Sequence, residues 1–319
     1  MEFSTDTLNR ALELARKGEG HTRPNPPVGA MIFDREGRCI GEGYHHRAGT
    51  GHAETEAIKD WRRRHPDKEA AALLVTLEPC SKPGRVGACT EVIIAAKIPQ
   101  VAYMCTDPNP TNRNRAKRVL AKAGISCEHV KCKEAEDLIR PFAKRMLTGM
   151  PYVTVKLAMT LDGKIADDWG DAKWISSEES RRKTGKLRER VDAIMVGANT
   201  VRLDNPSLLS HGKKNDDLIR VVVSRSGKLP EKAQVFTDGK NPTLVFADAK
   251  EALKELGKMG VLHVLCEGGK ELAASLAEEG LVDEWITVLC PKTIGRKRIG
   301  EAAVFGKGKV KDVHICLRA

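Results

Sequence analysis

Three residues have the types and spacing of a metal site with room for chemistry. His52 opens the stretch HAETEAIKD, and Cys80 and Cys89 bracket the loop of PCSKPGRVGAC. Zinc takes imidazole nitrogen and thiolate sulfur in tetrahedral array, and a catalytic zinc keeps three protein ligands so that water can take the fourth position. Zinc held this way acidifies that water toward neutral pH. A second group must still move protons. Glu54, two residues after His52, is close enough to do so without ligating. H-x-E followed by P-C and a further cysteine is the pattern of zinc-dependent base deamination. Cys80 follows a predicted strand and Pro79, while Cys89 opens a predicted helix whose N-terminal dipole favours thiolate. Either half of the pattern alone is weak; their combination at a strand end is specific. Eight residues separate the cysteines, where C-x-x-C is common. Arg85 inside that longer loop is an anion binder or else a solvated loop arginine.

The surrounding pattern says what must hold these residues. DTLNRALELARKGEG has Leu8, Leu12 and Ala15 on one helical face and Gly18 as a stop. VGAMIFD reads as a strand, Glu36-Gly37 as a turn and RCIGEGYHH as the partner strand. A helix begins near His52, AALLVTLEP is a buried strand, CTEVIIAAKI a helix, PQVAYMCTD a strand and RAKRVLAKAGI a helix that stops at Gly124. Strand and helix alternate, which predicts an α/β sheet covered by helices. Gly149 and Pro151 punctuate the chain, and a new strand starts at Tyr152, so a boundary falls at about 148–151. Beyond it YVTVKLAM, AIMVGAN, IRVVVS, PTLVFA, VLHVLCEG and EWITVLC read as strands. SEESRRKTGKLRER and KELAASLAEEG read as helices.

The 319 residues suit about two domains. Aromatics are 4% of them, so the cores lean on Ala, Val, Ile and Leu. The net charge of +11 divides as +6 over residues 1–149 and +5 over the remainder. No tail or stripe concentrates it as a dedicated nucleic-acid binder would, and a small anionic substrate fits it equally well. No apolar run approaches the roughly 20 residues of a membrane span, and MEFSTDTLNR lacks the apolar core of a signal peptide. A cytoplasmic protein is expected. Its cysteines are then thiols or ligands, not a disulfide framework. Cys39, Cys105, Cys127, Cys132, Cys266, Cys290 and Cys316 are most simply small buried hydrophobes.

A second candidate site follows the strand that ends at Cys266. Glu267-Gly268-Gly269 leads into a helix near Lys270, and glycine backbone plus helix N-terminus suits a phosphate. Such a unit is weak evidence alone, and it is neither a Walker loop nor a G-x-G-x-x-G fingerprint.

TRPNPPVGAMI, GEGYHHRAGTGHAE, TLEPCSKPGRVGAC and TDPNP together resemble the deaminase half of the bifunctional riboflavin-biosynthesis deaminase/reductases. YVTVKLAMTLDGKIADDWGDAKWISS, AIMVGANTVRLDNPSLL and VLHVLCEGGKELAASLAEEGLVDEW resemble their reductase half. The resemblance covers nearly the entire chain. It implies a cytidine-deaminase-like α/β/α domain over 1–148 and a dihydrofolate-reductase-like α/β domain over 151–319. It implies Zn2+ on His52, Cys80 and Cys89, Glu54 as proton shuttle, and Asn25, His45, Arg85, Asp107 and Asn109 around the base and ribose phosphate. In the second half it implies NADPH against Ala158, Trp174, Thr200, Asp204 and the loop from Gly269 to Ser275. Lys156, Arg188, Leu208 and Glu267 would face the substrate. The implied reactions are deamination of a diaminopyrimidinone ribosyl phosphate and reduction of the ribosyl side chain to ribityl. A homo-oligomer, dimer or larger, is implied; neither nucleic acid nor membrane is. Without the resemblance, Asn25, Asn109 and Asp204 read as turn formers, His45, Lys156 and Arg188 as surface groups, and Trp174 as core.

Some positions depart from the family pattern. Lys82 stands where histidine is usual, TNRNRAKR where a glycine-rich turn is usual, Ala172 where serine is usual, and His211 where a substrate-binding arginine is usual; Lys213, Lys214 or Arg220 could compensate for the last. The rival readings are a deaminase of a related pyrimidine or nucleic-acid base, and a protein whose reductase half is inactive or altered in substrate.

Overall fold

The structure, a computed structural model, describes residues 1–82, 87–210, 217–297, 303–304 and 312–318. Arg85, His211, Lys213 and Lys214 lie outside the described residues. The chain divides into two compact units, Met1–Gly149 and Met150–Ala319.

Unit 1 runs α1 (Thr5–Arg16), β1 (Gly29–Phe33), β2 (Cys39–Tyr44), α2 (Ala53–Arg64), β3 (Ala72–Val75), α3 (Cys89–Ala95), β4 (Gln100–Tyr103), α4 (Ala116–Lys122), β5 (Ser126–His129), α5 (Lys133–Leu138) and α6 (Arg140–Thr148). Its five strands lie in the order β2-β1-β3-β4-β5. β1 pairs antiparallel with β2 and β3, and β3, β4 and β5 are parallel. Apolar residues of α2, α3 and α4 pack on one face of the sheet. Those of α1 and α5 pack on the other, which gives three layers. Leu73 and Leu74, on opposite faces of β3, are wholly buried; truncating either to alanine costs about 2–5 kcal/mol.

The glycines of GEGY set how closely α2 can lie. Gly41 and Gly43, two apart, share a face of β2. A Cβ on Gly41 would come 2.6 Å from the Ala57 carbonyl oxygen, and one on Gly43 would come 2.3 Å from the Ala57 nitrogen. With no Cβ, backbone rests on backbone, and the start of α2, with His52 and Glu54, is fixed against the sheet.

Unit 2 runs β6 (Tyr152–Thr160), α7 (Glu178–Arg188), β7 (Ala193–Gly197), α8 (Ala198–Asp204), β8 (Ile219–Val223), α9 (Gln234–Thr237), β9 (Thr243–Phe246), α10 (Ala249–Lys258), β10 (His263–Cys266), α11 (Lys270–Glu278), β11 (Glu284–Cys290), β12 (Lys292–Thr293), β13 (Ala303–Val304) and β14 (Val313–Arg318). The main sheet has the order β14-β11-β6-β10-β7-β8-β9. Only its edge strand β14 is antiparallel to its neighbour. α10 and α11 cover one face; α8, α9 and the end of α7 cover the other.

All nine cysteines are unpaired thiols. Two differ from the expectation of burial. Cys39 is exposed beside the β1–β2 turn, and Cys316 is exposed on the edge strand, where its thiol donates to Glu284 Oε1 at 3.3 Å.

Candidate functional sites

In unit 1, His52, Cys80 and Cys89 converge. Their ligand atoms all lie within 4.8 Å of one another. His52 Nδ1 is 3.1 Å from Cys89 Sγ and 3.7 Å from Cys80 Sγ. Bond lengths of about 2.0–2.3 Å in a tetrahedron require donors about 3.5–3.8 Å apart; the Cys80 distance meets this and a small outward rotation at Cys89 completes it, so the donor set fits zinc, with Nδ1 as the histidine donor. His52 is the N-cap of α2, Cys80 follows β3 by a short loop, and Cys89 is the first residue of α3. The Cys89 backbone N–H donates to Cys80 Sγ at 3.2 Å, and the Thr90 N–H to the Cys80 carbonyl at 3.1 Å. The start of α3 therefore cradles Cys80.

The electrostatics suit a metal. Hydrogen bonds from the Cys89 thiol, from His52 and from the Cys89 N–H lower the Cys80 pKa to about 4. Cys89 is raised, by sharing its proton with Cys80 and by burial. The hydrogen bond to Cys80 raises His52. Glu54 is buried, and desolvation together with the Cys80 charge raises its pKa. A raised carboxyl accepts a proton more readily than an ordinary one, as a proton shuttle must.

A cavity of about 390 Å³ opens on the triad. Asn25, His45, Asp107 and Asn109 all line it, as does Lys82. His45 is buried; its Nδ1–H donates to the Gly51 carbonyl at 3.1 Å. Its Nε2 thus accepts from Asn25 Nδ2, also at 3.1 Å. Desolvation lowers the His45 pKa and keeps the ring neutral. His45 is therefore not a surface group. Asp107 accepts from the Asn109 N–H at 2.8 Å and from Asn112 Nδ2 at 2.7 Å. Asn109 Oδ1 is taken up by the Thr111 N–H and hydroxyl, each at 3.0 Å, so its turn role is real and its amide NH2 is what it offers the cavity.

Two braces were not read from the sequence. Asn112 Oδ1 accepts from the Ser81 N–H at 2.7 Å and the Ser81 hydroxyl at 3.0 Å, tying the residue after Cys80 to Asp107. Glu78, in TLEPC, takes four backbone N–H groups: Asp107 at 3.2 Å, Asn114 at 3.0 Å, Arg115 at 2.9 Å and Ala116 at 3.1 Å. The unusual TNRNRAKR stretch still makes the turn, because Asn114 takes the left-handed conformation with φ 58°, which asparagine tolerates better than most residues.

In unit 2 the candidates come from several elements, and the end of α7 meets the residue after β10. Arg188 Nε and Nη2 reach Glu267 Oε1 and Oε2 at 2.6 and 2.9 Å, and Nη1 donates to the Leu209 carbonyl at 3.0 Å. Burial opposes the Glu267 charge, but Arg188 and Lys156 hold its pKa below the ordinary value. Ala158 packs with Ala172 against Ile175, Val288, Cys290 and Ile294, so alanine at 172 serves packing. Trp174 is 59% exposed, not core, with the Arg181 guanidinium 4.4 Å over its ring. Thr200 and Asp204 stand on α8, where Lys173 Nζ donates to the Asp204 carbonyl at 3.1 Å. Gly269 is the N-cap of α11.

Two expectations change. The Leu208 side chain is buried in the core under α8 and α9, so only its main chain is left to face a substrate. Arg220 cannot stand in for a phosphate-binding arginine. It is 1% exposed, and its guanidinium is committed to Asp238 at 2.7 and 3.0 Å, the Ser207 carbonyl at 3.2 Å and the Asn241 carbonyl.

Residues 1–105 match the family model for the cytidine and deoxycytidylate deaminase zinc-binding region, and residues 151–317 match that for the RibD C-terminal domain. The chain is 34% identical to riboflavin biosynthesis protein RibD of Aquifex aeolicus, over 92% of this chain and 88% of that one. It is 36% identical to the Bacillus amyloliquefaciens protein, over 96% and 90%. A crystal structure from Thermotoga maritima, a diaminohydroxyphosphoribosylaminopyrimidine deaminase/5-amino-6-(5-phosphoribosylamino)uracil reductase, matches with a TM-score of 0.86 and 31% identity, covering 98% of this chain and 97% of that one. Among the described residues no helix is long and apolar enough to cross a membrane. With its paired zinc-binding deaminase and NADPH-dependent reductase domains, the chain belongs to the RibD family of bifunctional riboflavin-biosynthesis enzymes.

Proposed function

We propose that unit 1 deaminates a diaminopyrimidinone ribosyl phosphate at the His52–Cys80–Cys89 site, and that unit 2 reduces the ribosyl side chain of the product to ribityl. The observation that carries the first step is the convergence of three donors within 4.8 Å beside a buried carboxyl. Zinc on these donors supplies the acidity that makes water a nucleophile near neutral pH. Glu54 takes one proton from the attacking water and passes it to the ring nitrogen; it then takes the second proton, from the hydroxyl that the water has become, and passes it to the departing amine. The water oxygen replaces the amino group, and ammonia leaves. Asn25, His45, Asp107 and Asn109 hold the base and ribose; Arg85 is retained as a substrate residue by its place in the loop between the cysteines. The neutral, doubly bonded His45 orients a hydrogen bond without adding charge.

In unit 2, NADPH supplies the hydride that reduces the sugar carbon. Ala158, Trp174, Thr200 and Asp204 would border the cofactor, with Gly269 and the start of α11 toward its phosphates. Lys156, Arg188, Glu267 and the Leu208 main chain would hold the substrate. The working form is a cytoplasmic homo-oligomer acting on a small phosphorylated pyrimidine, with no nucleic-acid or membrane partner; sedimentation of the purified protein checks the assembly. The test of the function is a coupled assay on the full chain. NADPH oxidation should require prior ammonia release when the diaminopyrimidine is supplied and should not require it when the deaminated pyrimidine is supplied. NADPH oxidation by neither compound would sink the reductase assignment.

A further inference from the structure

Asp107 faces the cavity of unit 1 from a loop, and its surroundings fix it in two steps. The main chain comes first: the Asp107 N–H donates to Glu78 Oε2 at 3.2 Å. The carboxylate comes second. Its Oδ1 accepts from the Asn109 N–H at 2.8 Å, and its Oδ2 accepts from Asn112 Nδ2 at 2.7 Å. The first of these bonds stays within one turn and leaves the carboxylate free to twist about it. The second, on the other oxygen, sets the plane. An ionised carboxylate oxygen has about two acceptor sites, so each oxygen keeps one for a hydroxyl or N–H group entering the cavity. Asn112 is itself held so that its amide cannot reverse. It is buried, and its Oδ1 accepts from both the N–H and the hydroxyl of Ser81, at 2.7 and 3.0 Å. Reversal would set the amide NH2 against the Ser81 N–H, donor against donor, and its oxygen against the Asp107 carboxylate. Asn112 lies behind Asp107, off the cavity wall. Ser81 directly follows the metal donor Cys80, so one buried side chain joins the metal loop to the carboxylate that faces the cavity.

We propose that Asn112 is a positioning residue of the deaminase unit: it holds the Asp107 carboxylate at the angle from which its oxygens accept hydrogen bonds from the substrate. The proposal rests on the deaminase reading above, in which Asp107 binds substrate. Its consequence is that Asn112 acts on substrate binding, and does so only through Asp107.

The test is a double-mutant cycle on the full-length, zinc-loaded protein, read as ammonia release from the diaminopyrimidinone ribosyl phosphate. Asn112→Ala should raise KM roughly tenfold, the size of one hydrogen bond to a charged group, while kcat stays within about threefold. Zinc content and NADPH oxidation with deaminated pyrimidine should not change. Asp107→Ala should raise KM by more. In the Asp107→Ala background, Asn112→Ala should then move KM by less than about twofold, because nothing is left for it to orient. An equal factor in both backgrounds, an unchanged KM in the single variant, or a loss confined to kcat overturns the proposal. Asn112→Ser carries the same predictions if the alanine variant loses its zinc. Loss of zinc from both overturns the proposal, since Asn112 then serves the metal loop alone. Calorimetric titration of the zinc-loaded Glu54→Gln protein, with the same pair of substitutions, reads binding without turnover. If the cycle holds there while the unaltered protein releases no ammonia, Asn112 keeps its role and the deaminase reading falls.

Discussion

In unit 1 the residues that face the metal and the base are held by backbone groups and short side chains: the Cys89 N–H on Cys80, the Gly51 carbonyl on His45, and Asn112 between Ser81 and Asp107. In unit 2 the candidate substrate residues are long charged side chains from separate elements that satisfy one another, above all Arg188 and Glu267 at 2.6 Å. The first site is assembled before anything binds. In the second, Arg188 and Glu267 are closed on each other, so a ligand that engages either must take over bonds the protein already makes. Preorganisation favours reaction at a defined centre, whereas exchange of partners favours discrimination between ligands that can and cannot replace the lost bonds.

The largest effect that would sharpen this contrast is loss of metal. Chelation should abolish ammonia release while NADPH oxidation with deaminated pyrimidine persists; parallel loss of both would break the separation drawn between the units. Next, Glu54→Gln should cut ammonia release by roughly 10²–10⁴-fold, the usual worth of a positioned proton shuttle, with zinc content by elemental analysis unchanged. A surviving rate would remove Glu54 from its role.

Effects on stability follow. Arg188→Ala leaves a buried carboxylate at Glu267 without its partner and should destabilise unit 2 by about 3–5 kcal/mol, seen in its denaturant midpoint. Acid should act on unit 2 through His263. Burial lowers its pKa to about 4, whereas an unfolded histidine titrates near 6.5. The unfolded chain therefore takes up the proton first as pH falls. The stability held by neutral His263 is complete above about pH 6.5 and drains away toward pH 4, so melting temperatures between those values should fall less steeply in His263→Gln. The smallest effect belongs to the turn at Asn114. Asn114→Ala should cost about 1 kcal/mol for its left-handed backbone, and Asn114→Gly should stay within about 0.5 kcal/mol; equal costs for both would argue against backbone strain as the cause.

Much of this was legible in the sequence because its signals are local. His52, Glu54, Cys80 and Cys89 carry their chemistry in residue type and spacing, and the alternation of strands and helices around them was long enough to read. α5 and α6 escaped notice. α5 has six residues, and the Gly149 that ends α6 was read only as punctuation before the next domain. The braces at Glu78 and Asn112 escaped for another reason: their partners are mainly N–H groups, which every residue but proline possesses. The exposure of Trp174, core by default without the family resemblance, and the burial of the Leu208 side chain were not legible, because burial in unit 2 follows from which helix covers which face, and that is fixed by contacts distant in sequence.

Glu78 has one further consequence. Three of its four N–H partners span Asn114 to Ala116, and a carboxylate that grips main chain makes no demand of its own on the side chains strung along it. The exposed positions of that stretch can carry new side chains, even the cations Arg113, Lys117 and Arg118, so long as Asn112 keeps its brace and position 114 its left-handed backbone. The exterior character of the molecule can thus be rewritten at this corner without a new solution for the chemistry inside.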